Sequence, residues 1–482
     1  MKKILFFILL SSCLVACMDD DNYLVSPTAA ISIWKDTVSL DTVIANEVTP
    51  TDTFKIYNPH NQPIRFERIW LEGGVESPFR INVDGQSLSG GETLSNVEIG
   101  KRDSLIIFLF VRATDFDRDD AVKIIDKLHF LTEGGKEQHV VLKCYSQSVI
   151  PLEQLRVGNT QVLDASRPYH IKDSIVVEEG GQLLIQPGVT LLFHNDARLI
   201  VYGKLSLNGS VDENVVLRGD RLGNMLTDIP YDKIPNQWDG IYFRSTSTNN
   251  EIDYADIHSA NVGVQIEGSD LSQQSLVLRN SIIHNTGSYG LLAKNANATV
   301  INTQITNSGN DCVKLLGGDY TFIHCTIAQF YPFVGGHGVA FDFSNYEDEE
   351  RLPLVNLEVA NTIVTGINAD DLMGHQNNSR LEDAFEYKFT SCYLHTPRVS
   401  DDTHFVNCLW SEDNESRFAE SENFTPQFDY DKLNFSFLLS EKSRAIGTAN
   451  YDISINYAPV DRLGRSRLER SKSDIGCYVF QN

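Results

Sequence analysis

Between Gly181 and Gly219 the chain reads G-Q-L-L-I-Q-P-G-V-T-L-L-F-H-N-D-A-R-L-I-V-Y-G-K-L-S-L-N-G-S-V-D-E-N-V-V-L-R-G. Its apolar runs, Leu183 to Ile185, Val189 to Phe193 and Leu199 to Tyr202, are divided by Pro-Gly, by His-Asn-Asp and by single glycines. Runs this short, broken this often, exclude a helix and predict strands joined by tight corners. The pattern recurs downstream. Anchored on Ile257, Ile282, Ile305, Ile327, Ile363 and Leu394, its steps are 25, 23, 22, 36 and 31 residues. The first three steps match one rung of a coil, and the longer two require loop insertions. Self-similarity of this kind predicts a solenoid. The expected fold class is all-β, with a right-handed parallel β-helix over 151–425.

Two residues before the anchors stand Ala255, Asn280, Thr303, Cys325, Asn361 and Cys392, and Cys408 continues the series before Trp410. A constant offset of two places side chains on one face of a strand, stacked about 4.8 Å apart in a parallel coil. The expectation is an internal ladder in which these polar groups bond one another. Ladder neighbours fall within disulfide reach, so Cys392 and Cys408 are the one candidate bridge, against two stacked thiols. The remaining cysteines fit neither a zinc pattern nor a dense disulfide framework.

Residues 29–150 carry a different signal. Ile64 to Leu71, Phe79 to Val83 and Ser104 to Val111 are among about seven strand-like stretches. Gly73-Gly74, Gly90-Gly91 and Gly134-Gly135 mark turns between them. This predicts a β-sandwich. The order Phe54 to Asn58, Phe79 to Gly85, then Asp103 to Val111 resembles bacterial immunoglobulin-like modules that space domains from a surface. Asp115, Asp117 and Asp119 alternate in an acidic stretch that offers hard oxygens to calcium. Asp120 stands where a helix-loop-helix calcium site has its glycine, so an exposed acidic loop is the competing reading.

At the N-terminus Lys2 and Lys3 precede the apolar run Ile4 to Leu10 and the sequence Ser11-Ser12-Cys13-Leu14-Val15-Ala16-Cys17. A charged start, a short apolar run and small residues read as a secretion signal over 1–16. Leu14 to Cys17 resembles the lipobox of bacterial lipoproteins. The resemblance implies cleavage before Cys17, its lipidation, and attachment to a membrane through the lipid. Met18-Asp19-Asp20-Asp21 opens an acidic tether over 17–28. It resembles the surface-export signal of lipoproteins of Bacteroidota, which implies an outer-membrane protein exposed at the cell surface. No later stretch has the roughly 18 apolar residues that a spanning helix needs. The formal charge of −25 repels nucleic acid and anionic lipid headgroups and excludes nucleic-acid binding.

Gln186-Pro187-Gly188-Val189 with Tyr202-Gly203-Lys204-Leu205, Trp238-Asp239-Gly240-Ile241 and Ile323-His324-Cys325-Thr326-Ile327 resemble right-handed β-helix lipoproteins of Bacteroidota. The resemblance covers about 160–482. It implies a capping segment at 426–482, where Arg462, Arg465, Arg467, Arg470 and Lys472 form a basic run. Members of this fold include polysaccharide lyases, pectin-active hydrolases, epimerases and non-catalytic surface proteins, so fold alone does not choose among them.

Insertions at 222–238, 330–338, 345–353 and 368–383 are where binding residues concentrate. Tyr231, Trp238, Tyr242, Phe330, Tyr331 and Phe333 are the candidates for stacking on sugar rings, against a packing role. Asp311 and His337 loosely resemble polygalacturonase motifs, but Asn310 occupies the position of the first acid of the pair. One Asp and one His do not make the carboxylate pair of a glycoside hydrolase. No metal site or cofactor is assigned beyond the calcium option, and no protein partner. The expected function is non-catalytic, a glycan- or surface-binding coil on a spacer. The alternatives are a polysaccharide lyase or hydrolase working in the coil groove, and a structural surface component.

Overall fold

The computed structural model describes residues 22–164, 166–226, 228–268, 270–333, 337–411, 422–425, 428–469 and 472–481. Cys17 and the expected secretion signal over 1–16 lie outside the described residues. The chain divides into two compact units, Met1–Ser148 and Val149–Asn482.

In the first unit two sheets enclose one core, which is compatible with an immunoglobulin-like domain. The strands alternate buried and exposed positions, as in Phe79–Val83, where Phe79, Ile81 and Val83 point inward. One sheet carries Asp52–Tyr57, Ser104–Val111 and Phe79–Val83 paired antiparallel. The other carries Ile64–Leu71, Val122–Thr132 and Glu137–Gln147. Phe54, Phe79, Leu109, Phe66, Phe130 and Leu142 from both sheets meet in the same apolar cluster.

The second unit is a parallel β-coil. A representative rung runs through Asn250–Asp253, Ala255–His258 and Ala260–Glu267. Each strand pairs in parallel with its counterpart one rung on, at Leu276–Arg279, Ile282–Thr286 and Leu291–Lys294. The interior is a continuous apolar column that includes Leu199, Ile241, Val264, Leu291, Val313 and Phe341. Gly240 shows how tightly the rungs stack. Its φ is 136°, and a Cβ there would come within 1.9 Å of the Val262 carbonyl oxygen.

The ladder is real, but its register differs from the expected one at two rungs. Ile257 pairs with Ile283 rather than Ile282, and Ile327 with Val364 rather than Ile363. The inward column is therefore Ala255, Ser281, Thr303, Cys325, Thr362, Cys392 and Cys408. Asn280 and Asn361 stand one residue earlier, at the corner, with φ of 48° and 49°. Tyr254, Asn302, His324, Ser391 and Asn407 take the same left-handed conformation. A slip of one residue exchanges the two faces of a strand. The physical reason is the corner itself, where Asn tolerates positive φ at low cost. Within the inward column the hydroxyls turn back on their own chain. Ser281 Oγ donates to the Arg279 carbonyl at 2.6 Å, Thr303 Oγ1 to Ile301 at 2.9 Å and Thr362 Oγ1 to Ala360 at 2.9 Å.

The segment after the coil runs back along its flank as a strap. Its apolar residues Phe424, Phe437, Leu439, Ile475 and Tyr478 pack on Ala328, Phe330, Ile363 and Tyr393. Its one helix among the described residues is Tyr451–Tyr457, capped by the Asn450 side chain, which accepts from the N–H groups of Asp452 and Ile453. Polar contacts tie the strap to the corner column. Arg467 Nη2 donates to Asn302 Oδ1 at 2.9 Å, and Arg462 Nη2 to Asn214 Oδ1 at 2.8 Å. Members of the basic run differ in fate: Arg462 and Arg467 are buried, while Lys472 is exposed. The coil supplies Asn302 and Asn214 as acceptors, and the strap itself supplies the Asp474 and Gly476 carbonyls to Arg467.

Candidate functional site

The strand Ala255–His258 and the strand Ile282–Thr286 lie side by side in the coil, with His258 paired to His284. Asp256 precedes His258 by two residues, so its side chain leaves the strand on the same side. The result is a compact trio. Asp256 Oδ1 lies 3.0 Å from His258 Nδ1 and 3.1 Å from His284 Nε2. The two imidazole rings are 4.9 Å apart, tilted by 32°.

A second carboxylate closes the trio from above. Asp232 sits in the short 3₁₀ turn Tyr231–Lys233, part of the insertion that precedes Trp238. Its Oδ1 is 3.7 Å from His258 Nε2 and in contact with the Arg218 guanidinium. Burial opposes the charged form of His258, but Asp256 and Asp232 outweigh it and push the ring up to about 9. Burial likewise opposes the Asp256 carboxylate, and the two histidines hold it well below the usual range. The site is a partly buried row in which Arg218, Asp232, His258, Asp256 and His284 follow one another, with His258 the buried member.

His284 also lines a cleft of about 430 Å³. The coil contributes Asn285, Gln304, Thr306 and Asn307, and the strap contributes Leu433 to Leu438, Leu463 and Tyr478. Lys233 comes from the insertion and is fixed by donating to the Lys432 carbonyl at 3.0 Å. Tyr478 donates its hydroxyl hydrogen to Gln304 Oε1 at 2.8 Å, joining the two walls. No Asp or Glu stands among the described lining residues.

A related trio lies earlier in the same sheet. Asp220 Oδ2 is 3.0 Å from His170 Nε2 and 2.7 Å from His194 Nδ1. Burial works against the Asp220 carboxylate, yet the bonds from both histidines lower its pKa. His194 is more than half exposed. Both trios escape a search for local metal spacing, because each histidine pair is one rung apart rather than one helical turn apart. The usable signal is coincidence of the His–His interval with the rung period.

The residues expected to form sites are placed as follows. Trp238 does not face a ligand: it is 1% exposed and stacks on Phe193 at 4.3 Å, with its indole N–H donating to the His258 carbonyl. Phe330 and Tyr331 are also buried, Phe330 among Phe424, Phe428 and Phe437. These three are corrections to the sugar-stacking set, since the strap covers the flank where Phe330 would have been open. Tyr242 is half-buried and donates to Asp239 Oδ1, and Tyr231 lies near Arg221. Phe333 is exposed.

Asp311 and His337 each bond a backbone group of the segment 338–339. Asp311 Oδ1 accepts from the Val339 N–H at 2.9 Å, and His337 Nδ1 meets the Gly338 carbonyl. Burial raises the Asp311 carboxyl. Asp115, Asp117 and Asp119 are exposed, and Asp115 Oδ1 accepts from the Asp117 N–H, as in an ordinary acidic turn. Cys392 and Cys408 are free cysteines in adjacent rungs.

Residues 193–381 match the family model of a right handed beta helix region. That match speaks to the coil and not to an activity. No curated protein matches the sequence. Among solved structures, the Agl-KA catalytic domain aligns at 12% identity over 72% of this chain and 81% of that one, with a TM-score of 0.22. PapD-like domain 7 of human CEP192 aligns at 8% identity over 25% of this chain and 88% of that domain, with a TM-score of 0.18. A family 123 glycoside hydrolase from Clostridium perfringens aligns at 8% identity over 27% of this chain and 30% of the enzyme, with a TM-score of 0.17. Similarity at these levels transfers no activity.

Proposed function

We propose that this protein is a lipid-anchored cell-surface binding module, and that the cleft between coil and strap holds a neutral saccharide without cleaving it. The observation that carries the binding reading is the lining. Amides, hydroxyls, one lysine and His284 line a space of small-ligand size beside apolar groups that include Ile282, Leu433, the half-buried Phe435 ring and Leu463, with no carboxylate among the described lining residues. Glycoside hydrolysis ordinarily requires two carboxyl groups flanking the scissile bond. Amide and hydroxyl groups beside an apolar face suit a sugar, which is polar at its rim and apolar on its ring face.

Glycan-array binding by the wild type, lost in Lys233→Ala and in Asn434→Arg, is the expected result. A parallel assay for new reducing ends or unsaturated products separates binding from chemistry. Any cleavage product that disappears in the same variants replaces binding by catalysis. The anchor reading rests on Leu14 to Cys17. Incorporation of labelled palmitate, abolished by Cys17→Ala, checks it, and protease treatment of intact cells checks surface exposure.

A further inference from the structure

We propose that Asp256, His258 and His284 form a binding site for a divalent transition-metal ion of the zinc class, open towards the cleft. The proposal stands apart from the nature of any ligand in the cleft. Three ligand atoms, Asp256 Oδ1, His258 Nδ1 and His284 Nε2, all lie within 4.8 Å of one another. Two imidazole nitrogens with one carboxylate oxygen suit zinc and its neighbours, whereas calcium and magnesium take oxygen donors.

The spacing needs little adjustment. Tetrahedral ligands at bond lengths of about 2.0–2.1 Å stand roughly 3.3 Å apart. Asp256 Oδ1 is already 3.0 and 3.1 Å from the two nitrogens. The two nitrogens lie within 4.8 Å of each other, and bringing them to that spacing replaces two hydrogen bonds by three metal bonds. The cation takes the place of protons held between these groups.

Support around the trio is the second, independent observation. A metal-bound histidine ordinarily donates its far N–H to a carboxylate, which fixes the ring. His258 Nε2 is buried with no hydrogen-bond partner among the described residues, and Asp232 Oδ1 faces it at 3.7 Å. Arg218 in turn holds Asp232. His258 is enclosed, whereas about a third of the Asp256 side chain and a quarter of the His284 side chain are exposed, and His284 lines the cleft. Three protein ligands, one of them at the cleft wall, are the number that leaves a zinc-class ion one position for a ligand from solution. The trio of His170, His194 and Asp220 offers similar atoms but is far more open at His194, which makes it the internal comparison.

The test uses the purified full-length protein, stripped with a chelator and dialysed against zinc, with cobalt(II) as the spectroscopic probe. The expected result is visible absorption from bound cobalt that zinc displaces. His284→Ala should abolish the absorption and remove one equivalent of zinc, while His194→Ala retains the absorption. Asp232→Asn should keep the site but weaken zinc binding by about 10–100-fold. His284 is the chosen ligand variant because Asp256 keeps His258 as its partner, and circular dichroism verifies folding in each protein. Failure of the wild type to bind zinc at about 1 mM overturns the proposal. Binding unchanged in a folded His284→Ala, or lost only in His194→Ala, overturns it equally.

Discussion

His324 Nε2 lies 2.8 Å from Ser454 Oγ, 130 residues further along the chain. Asn361 donates to the same nitrogen, and Nδ1 of the ring meets the Gly476 carbonyl. Burial is the main reason that the ring stays neutral, with its pKa well below the ordinary 6.5, and Arg467 adds to it. The folded protein therefore refuses a proton that the unfolded chain accepts. The contribution of His324 is complete above about pH 6.5 and drains away as pH falls below it. Urea midpoints should fall between pH 7 and pH 5 in the wild type, and fall less in His324→Gln. Parallel midpoints in the two proteins would refute this assignment.

Arg467 makes a second fastening. It is 2% exposed and donates to Asn302, Asp474 and Gly476. Arg467→Ala leaves buried acceptors without a donor, at a cost of about 3 kcal/mol. Limited proteolysis should then cut the strap between 428 and 469 well before the coil. Equal resistance of strap and coil would show that apolar packing alone holds the strap.

Core and surface aromatics should separate cleanly. Trp238→Ala opens a cavity beside Phe193 and should cost about 3–5 kcal/mol in denaturation experiments. Phe333→Ala, at an exposed ring, should change stability by no more than about 0.5 kcal/mol. The two values are measurable in one series.

The thiols of Cys392 and Cys408 are expected to be reduced. Burial raises the Cys392 thiol well above its ordinary pKa, whereas its bond with Cys408 lowers that of Cys408. Cys408, half-buried, should alkylate before Cys392 in the native protein. Mass spectrometry of unreduced, denatured protein should find both labelled. A pair two mass units light and resistant to label would mean a disulfide.

The coil was legible because every rung repeats one demand, an apolar side chain at one point of the turn. Ile257, Ile283, Ile305 and Ile327 meet it at intervals of 26, 22 and 22 residues. Register was less legible, because Asn280 and Asn361 look as suited to a ladder as their neighbours Ser281 and Thr362. Only the backbone shows which residue turns the corner. The acid–histidine trio was not legible at all: Asp256 and His258 are local, but His284 reaches them through strand stacking and Asp232 through an insertion. The exclusion of Trp238 and Phe330 from the surface depended on contacts with Phe193 and the strap, which no local pattern encodes.

The strap follows the coil in the chain, so every rung it covers is made before its cover exists. Until then Asn302, His324 and Asn361 present their hydrogen-bonding groups to water, and the floor of the cleft lacks its second wall. Folding of this unit consequently has an order built into its covalent sequence. Without the strap the coil would carry a raw seam along one side, and the strap closes it.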